Sequence, residues 1–330
     1  MKKRIVCLIL AGTALVSLAA CQSGGGSGAS EEKTVVVGSK GFTENLILSE
    51  LYALALEDAG FEVEREFEVS NAVIHEALCE GEIDLYPEYT GTALMTILGQ
   101  PMMTDPQEVY NTVKEMYASE YDLDVLDMSP ASDGNSLAIR ADVAQEYGIG
   151  TISDLQANAD KIRFGSTSDF YEREDGMLGL EKVYGEFAFA SENSFDNSLK
   201  YQVMASDEVD CVPAYTTDAQ LSSGEFVLLE DDQGLWPPYN VIPVARQELI
   251  EAYPEAAEAV NTLSAAIDTE TLTELNARVD IDKEEYEDVA ADFYETLKAK
   301  ERKKCIKETI PAMEEDGGKA GRLRGLSKKK

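Results

Sequence analysis

The 330-residue chain contains one histidine, one tryptophan and five cysteines. With His75 as its sole imidazole, a multi-histidine metal site is excluded, and Ser-His or Cys-His nucleophilic chemistry is a poor expectation. Cys7 falls in an N-terminal apolar segment and Cys21 follows it. Cys79, Cys211 and Cys305 remain, at spacings that match no zinc pattern and make no disulfide framework; Cys79 and Cys211 are expected as buried, small apolar thiols. Basic side chains are scarce as well. Residues 31–298 hold 14 Lys/Arg against 58 Asp/Glu, a net of −44. Such a surface repels nucleic acid and anionic lipid, so no nucleic-acid partner is expected. Beyond the N-terminus no run is long and apolar enough to cross a bilayer.

What is present begins with Lys2-Lys3-Arg4, an apolar stretch from Ile5 to Leu18, and Leu18-Ala19-Ala20-Cys21. Residues 1–20 read as a secretory signal whose small residues before Cys21 suit lipoprotein-type cleavage. Cys21 is the expected lipid attachment, and the Gly/Ser run within residues 21–32 a flexible tether. The expected location is the extracellular face of a bacterial cell membrane, held there by the lipid anchor. Residues 299–330 carry 11 Lys/Arg against 5 Asp/Glu and are expected as a disordered basic tail.

Between these ends one pattern is written twice. Glu82, Asp84, Pro87, Tyr89 and Thr90 recur 126 positions on as Glu208, Asp210, Pro213, Tyr215 and Thr216, and Gly38-Ser39 recurs as Gly165-Ser166. Each copy reads β-α-β-α-β, from "KTVVVGSK" to "IDLYPEY" and from "KIRFGSTS" to "EVDCVPAYT". That grammar predicts an α/β protein of two similar lobes, each with a largely parallel sheet. The expected division is residues 33–130 plus 237–298 for the first lobe and 131–236 for the second. Turn-rich crossovers run into Arg140 and Arg246, and the helical "ELIEAYPEAAEAVNTLSAAIDTETLTELNARV" returns to the first lobe.

Ligands of open α/β sheets sit beyond the carboxyl ends of the strands. Tyr89 and Tyr215 end strands, and Tyr239 lies on the second crossover, so these three are candidates for a cleft between the lobes. Tyrosine faces attract a methylated ammonium by ~0.5–2 kcal/mol per ring. Lys40, where a strand meets a helix N-terminus, and Arg173, in the acidic "FYERED", would suit an anion. The ligand so described has a cationic head and an anionic tail.

"VGSKGFTEN", "DLYPEYTGT", "FYEREDG", "AYTTD" and "PPYN", taken in order, resemble the substrate-binding lipoproteins of bacterial ABC importers for glycine betaine, carnitine and choline. The resemblance covers about Val35 to Leu297. It implies a type II periplasmic-binding-protein fold, a two-lobed Venus flytrap, without enzymatic activity or cofactor. It implies a quaternary amine as ligand, an ABC permease as partner, and a monomer anchored to the membrane by lipid. It places Tyr89, Tyr215 and Tyr239 in an aromatic cage, Lys40 and Arg173 at the ligand carboxylate, and Thr92 at a polar contact. Where relatives read like "NNTYALA", this chain has "SDGNSLAIR", which puts Asn135 at the fourth cage wall, with Trp236 the alternative. Asparagine there suits a ligand with a polar group better than glycine betaine, and on the same scaffold a betaine with a heterocyclic side group, a choline-like cation or an amino acid stays open. A carboxylate enzyme using Glu44 and Asp169 is the remote alternative.

Overall fold

A computed structural model describes residues 33–317 apart from Asn71, Glu174, Asn197 and Ser198. Cys21, the expected signal and the tether lie outside the described residues, as do residues 318–330. Among the described residues ten strands form two five-stranded sheets. They are β1 (Thr34–Lys40), β2 (Glu62–Val69), β3 (Leu85–Tyr89), β4 (Leu123–Val125), β5 (Asn135–Arg140), β6 (Arg163–Ser166), β7 (Ser191–Ser194), β8 (Cys211–Tyr215), β9 (Phe226–Leu228) and β10 (Val241–Arg246). The first sheet runs β2-β1-β3-β10-β4 and the second β7-β6-β8-β5-β9.

The two orders are the same order. In each, three strands of one repeat lie parallel, and an antiparallel strand that follows a crossover, β10 or β5, pairs with the last of them. Alternating side chains bury both faces of each sheet. In the first, Val35, Val37 and Val241 pack under helix Thr43–Asp58, while Tyr86, Ile242 and Val244 pack under helix Pro106–Tyr121. In the second, Leu137, Ile139 and Phe164 face one core and Ala138, Val212 and Ala214 the other.

The repeated aspartates explain part of the repeated pattern. The Asp84 carboxylate accepts the Val36 amide at 2.9 Å and the Arg246 guanidinium at 3.1 Å. Asp210 accepts the Arg163 amide and its Nε, both at 2.9 Å. The backbone carbonyl of each aspartate in turn accepts the amide of the arginine that ends the antiparallel strand, Arg246 to Asp84 at 3.0 Å and Arg140 to Asp210 at 2.9 Å. One aspartate, through its side chain and its carbonyl, thus ties three strands together in each sheet.

The repeated prolines open the sheets. Proline has no N–H to give a ladder. The β1–β3 pairing is confined to Val37 and Leu85, and the β6–β8 pairing to Phe164 and Cys211. Past Pro87 and Pro213 the central strands have parted from their parallel neighbours, leaving a crevice at the carboxyl ends where Tyr89 and Tyr215 stand.

The returning helices Gln247–Ala252, Pro254–Ser264 and Thr269–Asp280 follow β10, and Val260, Leu263, Leu272 and Leu275 join the core under β1, as the sequence led us to expect. Three local expectations differ. The middle strand of the second copy forms only at Ser191–Ser194, because the apolar Phe187 and Phe189 before it turn inward and Phe189 stacks on Phe164 at 4.6 Å. Cys79 is exposed, not buried: it lies in the last turn of helix Ile74–Glu80, whose Ile74, Ala77 and Leu78 take the core face. Cys211 is buried. The segment expected as a tail from residue 299 continues helix Tyr286–Gly317, in keeping with its Ala, Lys, Glu and Arg content.

If the two aspartates are equivalent ties, Asp84→Ala and Asp210→Ala should each lower stability by about 1.5–3 kcal/mol, the range for hydrogen bonds to a charged group. Asp210, the more buried of the two, should cost more. Urea unfolding checks this, and a loss at one position only would show that the second sheet is held differently.

Candidate functional site

Two adjoining cavities lie at the strand ends. The larger, about 600 Å³, is walled by Lys40, Phe42, Glu44, Tyr89, Thr92, Asp133, Asn135, Tyr215, Asp218, Tyr239 and Asn276, among others. The smaller, about 230 Å³, is walled by Ser166, Thr167, Phe170, Arg173, Lys200 and Trp236. Asn135 and Tyr215 belong to both walls, and they are direct neighbours across the β5–β8 ladder.

Each wall follows from its element. Lys40 ends β1, and its amide donates to Asn45 Oδ1 at 2.6 Å, while Asn45 Nδ2 donates to the Pro87 carbonyl at 2.9 Å. That bridge closes the gap left where β1 and β3 part. Tyr89 stacks on Phe42 with centroids 6.2 Å apart and donates its hydroxyl to Glu44 at 2.8 Å. Tyr239 lies against Gly91. A Cβ there would come within 2.7 Å of the ring and 3.0 Å of the Pro238 carbonyl, so only glycine admits this ring position. Asn135 and Tyr239 line the same cavity, and the Asn135 amide favours ionisation of the Tyr239 phenol. Burial and the charge of Asp175 still push that phenol up to about 12.

Each strand-end tyrosine carries a lysine over its ring, and each lysine is already neutralised. Lys40 Nζ lies 5.3 Å from the Tyr89 centroid and pairs with Glu88, a buried carboxylate that also accepts the Tyr86 hydroxyl at 3.0 Å. Lys200 Nζ lies 5.0 Å from the Tyr215 centroid and pairs with Asp218 at 2.6 Å. One face of each ring is therefore occupied by a compensated cation.

The structure brings Lys40, Tyr89, Thr92, Asn135, Tyr215 and Tyr239 to one cavity, and Arg173 to the other. Lys40 and Arg173, expected together at one carboxylate, do not share a wall. Arg173 follows the short helix Ser168–Glu172 and its guanidinium pairs with Asp175 at 2.5 and 2.7 Å. Trp236 lines the smaller cavity and donates its indole N–H to the Asp175 carbonyl at 2.9 Å. The Asp169 side chain lies outside the described residues, and Glu44 is engaged by Tyr89 and Asn276.

Sequence reasoning missed Phe42, Asp133, Thr217, Asp218, Lys200 and Asn276. Thr217-Asp218 directly follows the second repeated Tyr-Thr, a signal that was readable. Asn276, in the middle of a returning helix, offered none. The missed acids change the electrostatics of the cavity. Burial raises the Glu44 carboxyl, against hydrogen bonds from Tyr89 and Asn276. Burial, and then the charge of Glu44, pushes Asp133 up to about 8, although Thr217 donates to it at 2.7 Å.

A pair of similar α/β lobes whose strand ends meet around aromatic and acidic walls is a solute-binding architecture. The comparisons agree. The family described as the substrate binding domain of ABC-type glycine betaine transport systems, OpuAC, matches residues 33–296, and the chain belongs to that family. A Helicobacter pylori (strain G27) protein named ergothioneine transport permease/ergothioneine binding protein EgtU is 38% identical over 270 residues, 81% of this chain and 48% of that protein. The chain thus spans about half the length of that relative. The carnitine transport binding protein OpuCC of Listeria monocytogenes is 28% identical over 299 residues, 89% of this chain and 96% of that one. Among solved structures, a glycine betaine/carnitine/choline ABC transporter protein superposes with a TM-score of 0.76 at 25% identity, covering 79% of this chain and 98% of the other.

The Asp133 shift makes a testable sign. Below pH 3.8 the carboxyl is protonated in both folded and unfolded chains; between there and about 8 only the folded chain keeps the proton. Stability contributed by this group therefore falls as pH rises through that window. Asp133→Asn should flatten the loss of thermal stability of the unliganded protein between pH 5 and pH 8. An unchanged pH slope would mean that Asp133 is ionised in the folded cavity.

Proposed function

We propose that the chain is a lipid-anchored receptor on the outer face of the cell membrane, joined through Cys21, which captures a methylated-ammonium betaine and hands it to an ABC permease. The observation that carries this reading is the convergence of Tyr89, Tyr215 and Tyr239 on one cavity, beside a second cavity that offers Arg173. A quaternary ammonium cannot donate a hydrogen bond, so ring faces and diffuse negative charge are what can hold it. Glu44 and Asp133, which a bound cation draws toward their ionised forms, supply the charge, and the tyrosine rings supply the aromatic walls. Arg173, Ser166 and Thr167 then receive the carboxylate in the adjoining smaller cavity by charge-assisted hydrogen bonds. Lys40, held by Glu88, sets the position of the Tyr89 ring and keeps the cavity floor neutral. Closure of the lobes on the solute follows if the bound state makes contacts that the open state lacks.

A second reading concerns the ligand's size. Asn135 supplies an amide where a fourth ring was expected, and the 38% identical relative is named for ergothioneine, a betaine with a heterocyclic side group. Both favour a larger, more polar betaine than glycine betaine.

Arg173→Ala should weaken a betaine by about 1.5–3 kcal/mol, the worth of a hydrogen bond to a charged group. Choline, with no carboxylate, should lose much less. Calorimetry on the folded variant decides it: equal losses for both ligands would place Arg173 outside the carboxylate site.

A further inference from the structure

The second crossover is strapped along one helix of the second lobe. Asp231 lies at its start, and its carboxylate gathers three donors: the Leu235 and Trp236 amides, each at 2.9 Å, and the Tyr184 hydroxyl. The Tyr184 oxygen in turn accepts the Gln233 amide at 3.0 Å. Tyr184 ends helix Met177–Tyr184, whose 8 residues make it about 12 Å long. Three residues past Gln233 the crossover has reached the opposite end of that helix, where the Trp236 indole N–H donates to the Asp175 carbonyl at 2.9 Å. The strap is therefore fastened at both ends of one helix, and Trp236, only 7% exposed, packs into the core of the lobe.

Asp175 passes this anchoring on to Arg173. Its carboxylate accepts the Nε and Nη2 hydrogens of the guanidinium at 2.7 and 2.5 Å, and two parallel bonds of this kind fix the plane of the group. The pair is open to water, with the Arg173 side chain 61% exposed and that of Asp175 37%, and such a pair by itself holds a geometry weakly. What orients it is the backbone beneath. The Gly176 amide donates to the Arg173 carbonyl at 3.1 Å, and a Cβ at Gly176 would fall 2.2 Å from the Phe170 carbonyl oxygen, so only glycine closes this turn. Arg173 and Trp236 both line the smaller cavity. Beyond Trp236 the strap continues as Pro237-Pro238-Tyr239; proline fixes φ, and the Pro238 carbonyl accepts the Thr90 hydroxyl at 2.9 Å. Two prolines thus separate the tryptophan of one cavity from the tyrosine of the other.

We propose that Asp231, Tyr184 and Trp236 are positioning residues: through Asp175 they set the plane of the Arg173 guanidinium relative to the Tyr239 ring. This rests on the betaine reading above, in which those two groups hold opposite ends of the solute. A bond missing from the strap leaves Arg173 charged but no longer aimed, and a misaimed donor gives up much of a charge-assisted bond, because hydrogen bonds weaken steeply away from linearity. Tyr239 stays held by the Thr90 bond to Pro238. The cost therefore falls on the carboxylate end of the ligand and spares the ammonium end.

Calorimetry of the full chain with glycine betaine, carnitine and choline tests this in Asp231→Asn, Tyr184→Phe and Trp236→Phe, each alone and combined with Arg173→Ala. Tyr184→Phe and Trp236→Phe remove one hydroxyl and one N–H while keeping a ring in the core, so they decide the matter if Asp231→Asn does not fold. Each single variant should weaken the two betaines by about fivefold or more and choline by less than about twofold. With Arg173 already replaced, the same substitutions should change betaine affinity by less than about twofold, because a positioning residue acts only through the group it positions. Equal losses for betaines and choline, losses that persist without Arg173, or no loss in any variant would overturn the role of the strap while leaving the betaine reading in place. If Arg173→Ala alone weakened betaines and choline alike, or if neither betaine bound, the betaine reading would fall and this inference with it.

Discussion

A threonine hydroxyl at the end of each central strand holds a crossing segment by two hydrogen bonds, and the cavity depends on those four bonds. Thr90 donates to the Pro238 carbonyl at 2.9 Å and accepts the Asn240 amide at 3.0 Å. Thr216 donates to the Ser132 carbonyl at 2.7 Å and accepts the Gly134 amide at 2.9 Å. Pro238 and Ser132 are 106 positions apart, as are Asn240 and Gly134 and the arginines that end the two antiparallel strands. Each latch fixes the residue that follows or lies within it: Tyr239 between the two bonds in one lobe, Asn135 just past them in the other. The crossovers also pair with each other, Ser132 against Asn240, with the Asp133 amide donating to the Tyr239 carbonyl at 3.0 Å. The element that joins the lobes is thus the element that sets the aromatic wall.

The charge of the chain has the same logic at a different scale. Its surface is so acidic that cations are scarce inside, and the buried ones are each given a carboxylate: Lys40 has Glu88 and Lys200 has Asp218. Breaking such a pair would leave an uncompensated buried charge, which costs far more than the pair contributes. The cavity therefore keeps Glu44 and Asp133 as acids without a permanent cation, and burial holds both carboxyls above the usual carboxylate range. A cationic solute supplies the missing charge. This is why tyrosines and acids, two groups that each favour a methylated ammonium, can share one wall.

Much of this was legible in the sequence. The near-constant offset between the repeats reflects strands that do equivalent work, so Tyr89 and Tyr215, Asp84 and Asp210, and Thr90 and Thr216 could be paired before any coordinates. The place of Asn135 beside the tyrosines came from the resemblance of "SDGNSLAIR" to the relatives' "NNTYALA", counted back from Ala138. Side chains that enter the cavity from unrepeated segments were not readable. Asn276 sits in a helix whose pattern specifies only its core face, and Lys200 and Asp133 look like ordinary surface charges until the fold brings Asp218 and Glu44 to them. The separation of Lys40 from Arg173 was hidden for the same reason: residue type suggests an anion site at both, but only the fold shows that Lys40 lies in one cavity, engaged by Glu88, and Arg173 in the other, engaged by Asp175. Local propensity accounts for the long last helix and packing of Phe187 and Phe189 for the shifted β7, two cases where the apolar pattern alone pointed elsewhere.

The central claim is that the cavity between the latched crossovers holds one small zwitterion with a quaternary nitrogen. Native mass spectrometry of the protein purified from its own host, without refolding, tests it most directly. The account predicts a single adduct on the folded chain that is lost on acid unfolding and that fragments with release of trimethylamine. A co-purified adduct lacking a quaternary nitrogen, occupying the same cavity, would contradict it.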